Sequence, residues 1–117
     1  TGWWYEPDAG NGVGYFLAVN TQAQANGAVA HVGYLSVLGY DAQRQPVWQA
    51  AQATLGADLG FSGTLMQYAG GMPFGGASAA TASASQIGQV RMTFTGTDRA
   101  RIALPDGRVA TLERFRF

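Results

Sequence analysis

A chain of 117 residues has room for one domain that buries roughly two-thirds of its unfolded surface, and none for a second. With no cysteine, disulfides and thiolate metal sites are excluded. Charged residues are 12% of the chain, about half the usual ~25%, and all seven basic residues are arginines, so lysine is not available to guard exposed sheet edges.

No segment keeps a 3.6-residue apolar period long enough for a helix. Short β-rich runs separated by turn signals recur instead. Gly2–Tyr5 is the first, ended by Pro7 and the Asp8–Gly12 turn. Val13–Val19 follows, with Tyr15, Leu17 and Val19 on one face. A polar connection over Asn20–Gly27 leads into Ala28–Tyr40, where Ala30, Val32, Tyr34, Leu38 and Tyr40 share one parity. Asp41–Pro46 turns the chain into Val47–Thr54, and Leu55–Gly60 turns it again into Phe61–Tyr68.

Gly70–Gln86 is Gly-, Ala- and Ser-rich and is expected to form a long low-complexity loop, with Met72, Pro73 and Phe74 as an apolar tip suited to a lid or a docking contact. Beyond it the alternation is clear. Val90, Met92 and Phe94 alternate with Arg91, Thr93 and Thr95, and Ala100, Ile102 and Leu104 alternate with Arg99, Arg101 and Ala103. Leu104–Arg108 carries Pro105, Asp106 and Gly107 at hairpin-turn positions. The last run, Val109–Phe117, puts Leu112 opposite Phe115 and Phe117, which predicts either a bulge near Glu113 or cover on both faces.

These elements predict one all-β domain over 1–117: about eight antiparallel strands in a meander, closed into a small β-barrel. A two-sheet β-sandwich is the alternative. The barrel is preferred because closure removes the edges that a lysine-free chain leaves unguarded.

The opening Gly2–Val19 stretch (GWWYEPDAGNGVGYFLAV), the Tyr40-Asp41…Pro46-Val47-Trp48 turn, the Phe61–Leu65 strand and the closing LPDGR…LERFRF occur in a recognisable order. They resemble a repeat-type all-β domain common in secreted and envelope proteins of proteobacteria. The resemblance covers most of the chain and implies an extracytoplasmic module, secreted or periplasmic, with no agreed activity. Two departures stand out: Arg44 where that family has glycine, and the Ala/Ser-rich composition of 70–86. A second likeness, of architecture alone, is to avidin-type barrels, which also run up and down for eight strands and assemble as tetramers; their polar biotin-binding residues are not recognisable here. A chain starting at Thr1 fits a mature form or an excised domain.

Chemistry-bearing residues are sparse. His31 lacks any His-x-His or Glu-x-x-His spacing and reads as a core or half-buried histidine, so no metal site is expected. Glu6 and Asp8 flank Pro7 as ordinary turn residues, with Asp8 placed to cap the following turn. No serine lies in a nucleophile-elbow setting, and Gly10-x-Gly12-x-Gly14 opens no helix, so neither catalysis nor a nucleotide or other cofactor is expected. The longest apolar stretch falls short of the ~20 residues of a membrane-spanning helix. The mildly acidic isoelectric point and the scattered arginines argue against nucleic acid.

The aromatic residues are the strongest candidates for binding. Trp3 and Tyr5 face one way and Trp4 the other, so one side of that strand can expose a ring. A barrel mouth lined by Trp3 or Trp4, Tyr34, Trp48 and Tyr68 is expected to accept a glycan or a small apolar ligand. The alternative is a structural unit that associates through its low-charge sheet faces. Residues 1–60 carry Glu6, Asp8, Asp41 and Asp58 against Arg44, whereas 61–117 carry six arginines against three acids. Arg91, Arg99, Arg101, Arg114 and Arg116 are therefore expected to form a positive stripe that meets the acidic half of another subunit in a homo-oligomer, or an anionic ligand.

Overall fold

The computed structural model describes residues 1–71, 74–76 and 83–117. It forms a closed antiparallel barrel of eight strands in chain order: β1 (Gly2–Tyr5), β2 (Gly14–Ala23), β3 (Val29–Tyr40), β4 (Pro46–Thr54), β5 (Phe61–Ala69), β6 (Ser83–Phe94), β7 (Arg99–Ala103) and β8 (Val109–Arg114). Each strand pairs with the next, and β8 returns to β1 through Trp4↔Arg114 and Tyr5↔Glu113. The Phe115 N–H donates to the Trp3 carbonyl at 2.8 Å and extends that short seam. The meander follows the expectation from turn spacing and its closure the expectation from the lysine-free edges, and the sandwich alternative is set aside.

Alternation decides what fills the interior. Trp4, Tyr15, Leu17, Leu35, Val37, Phe61, Leu65, Val90, Met92, Ile102 and Leu112 point inward and form one buried cluster with Ala51, Ala100 and Ala110. One end of the barrel, here the lower, is plugged. Phe61 packs directly on the backbone of Gly33, Trp4 meets Phe94 at 5.7 Å between ring centroids, and the Arg114 guanidinium lies 6.0 Å over the Trp4 ring while bonding the Thr1 carbonyl. The other end, the upper, is formed by the β1–β2, β3–β4 and β7–β8 connections.

Side chains fix the turns at that upper end. Asp41 Oδ1 accepts from the N–H groups of Gln43 and Gln45, both at 2.9 Å, and Arg44 sits between them at φ +62°. The β7–β8 hairpin closes through Leu104 N–H to the Arg108 carbonyl at 2.8 Å, with Gly107 at φ +88°.

Several expectations are corrected. The polar connection after β2 is shorter, because β2 continues to Ala23. Ser83–Gln86 belongs to β6 rather than to a loop; Met72 and Pro73 of the expected apolar tip lie outside the described residues. No bulge occurs at Glu113: β8 ends at Arg114, and Phe115 and Phe117 leave the strand, which removes the parity conflict with Leu112. The bulge lies in β6 instead. Leu65 pairs with Gly88 and Met66 with Gln86, leaving Ile87 as the extra residue. His31 is exposed at the lower end beside Thr21, its Nδ1 3.3 Å from the hydroxyl, because Gly33, not His31, marks where the interior begins. The β1–β2 turn is capped by Asn11, which accepts from Val13 N–H at 3.1 Å and donates to Glu6 at 3.0 Å, and Asp8 makes no such bond.

Candidate functional site

Strands β1 to β5 contain no Asp, Glu, Lys or Arg at any position; every charged residue within a strand lies on β6, β7 or β8. The barrel therefore has two unlike outer walls, one neutral and aromatic, the other carrying arginines.

The register aligns the neutral wall in rows. Tyr5, Gly14, Leu38, Trp48 and Tyr68 follow one another across five strands, and Trp3, Phe16, Ser36, Ala50 and Met66 form the next row. Trp48 stacks on Tyr68, with centroids 4.7 Å apart and planes 29° from parallel. Tyr34 stands two rows below Trp48, opposite Gln52. Ala50 points outward yet is only 2% exposed, which means that the larger side chains around it lie down over the sheet. Partial burial, reinforced by the neighbouring Tyr68, raises the Tyr34 hydroxyl above the ordinary phenol value. Leu38, Tyr40, Pro46 and Trp48 border a shallow groove of about 380 Å³ at the upper edge of this wall. Lower on the same wall the polar groups are amides and hydroxyls, among them Gln52 beside Tyr34 and the Gln89–Thr64 pair bonded at 2.8 Å.

The five aromatic residues expected to line a mouth are thus redistributed. Trp4 is in the core, and its buried indole N–H has no partner among the described residues. Trp48 and Tyr68 stack and Tyr34 shares their wall, but on the outside of the barrel, with Trp48 45% exposed. Trp3 is also outside, further round, where it meets Phe16 at 4.9 Å and shares a groove of about 300 Å³ with Tyr5, Phe115 and Phe117. Leu38, Tyr40 and Pro46 had no signal of their own. They emerge from the register alone.

The positive stripe is also smaller than expected. Arg91, Arg99 and Arg101 share the outer face of β6 and β7, where Arg99 lies 3.6 Å from Glu113. Arg114 has the inward parity of Leu112 and caps the lower end over Trp4, and Arg116 lies beyond the strand, paired with Asp98. Both are engaged within the chain because β8 ends at Arg114.

The upper end holds a cavity of about 210 Å³ between the strand ends and the β7–β8 hairpin. Val13, Val37, Val47, Leu65, Ile87 and Leu104 supply apolar walls, and Tyr15, Gln49, Asp106 and Arg108 supply polar groups. Tyr15 is 1% exposed, and its burial raises the phenol above its ordinary value although Arg108 opposes the shift. Among the described residues no three His, Asp or Glu side chains converge on one point.

Comparison with family models, with curated proteins and with solved structures returns no match.

Proposed function

We propose that this chain is a non-catalytic extracytoplasmic binding module that takes a neutral glycan on the outer wall of β3, β4 and β5. One observation carries the reading: Tyr34, Trp48 and Tyr68 share a wall whose strands contain no charged residue. The apolar face of a sugar ring stacks on an aromatic plane, and its hydroxyls need uncharged hydrogen-bonding groups such as Gln52, Thr64 and Gln89 lower on the wall. The absence of charge from β3, β4 and β5 favours a neutral saccharide over an acidic one, since these strands carry no arginine to pair with a carboxylate or sulfate. The extracytoplasmic placement rests on the resemblance of the Gly2–Val19 and Tyr40–Trp48 motifs.

The test is tryptophan fluorescence titrated with neutral and acidic oligosaccharides, with amide NMR to locate the shifts. A neutral oligosaccharide should perturb β3–β5, and Trp48→Ala should weaken it about tenfold or more, a loss of at least ~1.4 kcal/mol, while circular dichroism stays unchanged. Absence of saturable shifts with any saccharide would refute it. A concentration-dependent oligomer in sedimentation that Trp48→Ala disperses would assign the wall to a second copy instead.

A further inference from the structure

The cavity at the upper end is a site of a different kind, independent of the outer wall. Its volume of about 210 Å³ has room for one small ring or branched chain, and it is partly open to solvent. It is walled by strand-borne apolar side chains, chiefly Val37, Val47 and Leu65, and by Ile87, which the β6 bulge releases from the ladder. The polar groups of Tyr15, Gln49, Asp106 and Arg108 share the lining with these apolar walls. Tyr15 is almost wholly buried, and among the described residues no hydrogen-bond partner holds its hydroxyl.

Arg108 makes no ion pair among the described residues. The neighbouring Asp106 has one carboxylate oxygen occupied by the Arg108 backbone N–H at 2.9 Å, a bond that keeps the hairpin closed. Gln49 has one of its two amide N–H groups committed to Gln67 at 3.0 Å. The Tyr15 hydroxyl and the Arg108 guanidinium also remain as donors, on residues that both line this partly open pocket beside the Asp106 carboxylate.

We infer that the upper end of the barrel binds a small monocarboxylic acid with a compact apolar body, its ring or branched chain between Val37, Val47, Leu65 and Ile87 and its carboxylate held by Tyr15 and Arg108. The guanidinium fork matches a carboxylate, and the phenol supplies the second donor. The rest of the barrel interior is filled by the core side chains, so the ligand stays at this end.

Methyl NMR of the intact chain titrated with benzoate and, separately, with benzyl alcohol tests this. Benzoate should shift the methyls of Val37, Val47, Leu65 and Ile87 saturably in the millimolar range, and benzyl alcohol should bind several-fold more weakly. Gly39→Leu fills the site from its own wall: a Cβ at Gly39 meets Val13 at an ordinary 3.7 Å, and the longer side chain extends into the cavity. That variant should lose benzoate binding. Arg108→Gln, on an exposed turn, should weaken benzoate about fivefold, as expected for one partly exposed charge pair, and leave benzyl alcohol unchanged; it keeps the test sharp if Gly39→Leu folds poorly. No saturable shift with benzoate, binding that survives in folded Gly39→Leu, or equal affinity for acid and alcohol would each overturn the assignment.

Discussion

Replacing Gly33 by alanine should destabilise the barrel by about 1–2 kcal/mol, because the lower plug leaves no space for a methyl group there. A Cβ built on Gly33 would lie 2.8 Å from Phe61 Cδ2 and 2.9 Å from Leu55 Cδ1, well inside the ~3.5–4.0 Å at which carbon atoms attract. Phe61 is fully buried, so its ring cannot swing into solvent to make room. Overpacking of this sort costs about 1–3 kcal/mol. Alanine also restricts the unfolded chain, which returns roughly 0.4–1 kcal/mol where the native backbone suits it. With an unfolding entropy of ~2.1 cal/mol/K per residue over 117 residues, a net 1.5 kcal/mol lowers Tm by about 6 °C. Urea unfolding followed by tryptophan fluorescence, with thermal scans by circular dichroism, measures both quantities. Phe61→Leu supplies the control, since a smaller side chain relieves the clash. The double variant should be less destabilised than the two single changes added together, by about 1 kcal/mol. A neutral or stabilising Gly33→Ala, or strict additivity with Phe61→Leu, would refute the packing argument.

Arg44→Gly should stabilise the domain by about 0.5–1 kcal/mol: Arg44 holds φ +62°, a left-handed geometry that costs a side-chain-bearing residue ~1–2 kcal/mol, partly offset by the freedom glycine adds to the unfolded chain. A fall in Tm for this variant would show that the Arg44 side chain contributes more than its backbone costs. Stability should also decline in alkali through Tyr15. Burial raises its phenol above 10.0, so the folded state holds the proton more tightly than the unfolded chain; that contribution is complete below the unfolded value and is lost as pH rises through the folded one. Tyr15→Phe keeps the ring and removes the proton, so its urea midpoint should fall less steeply than that of the wild type between about pH 9 and 11; parallel profiles would exclude Tyr15 as the source.

Much of the fold is legible in the sequence because turn chemistry is strong and strands are short. Gly2–Tyr5 and the Phe61 strand start where the structure starts them, and the alternation of Val90, Met92 and Phe94 assigns the inner face of β6 correctly. Closure was less legible, since it depends on the two-residue β1–β8 seam and on Arg114 folding over Trp4. No local pattern announces either. The site was misread through β3 and β4, where both parities are apolar. Tyr34 and Leu38 compete with Leu35 and Val37 for the interior, and what decides is small-residue spacing: Gly33 and Gly39 share the parity of Leu35 and Val37 and give the interior its room. The upper cavity was hidden for another reason. Ile87 reaches it through a bulge in an Ala/Ser-rich stretch, and Arg108 belongs to a turn that reads as purely structural.

The distribution of large and small side chains is itself an argument that the neutral wall has a task. Burying a large apolar side chain stabilises a fold by about 1.5–3 kcal/mol relative to leaving it exposed, so a sequence shaped by stability alone places its biggest rings inside and its alanines outside. Here the interior holds Ala51, Ala100 and Ala110, whereas Trp3 and Trp48 stand on the outer surface with Tyr5, Tyr34 and Leu38. Of three tryptophans only Trp4 is buried, and its N–H has no partner among the described residues. Arginines would have masked such a wall as readily as they flank β6 and β7, yet β1 to β5 contain none. Exposed apolar area of this extent, kept free of charge across five neighbouring strands, matches a surface that is covered when the protein works. Trp48 lies in the Tyr5–Tyr68 row between Leu38 and Tyr68, which is why its truncation separates a binding wall from an inert one.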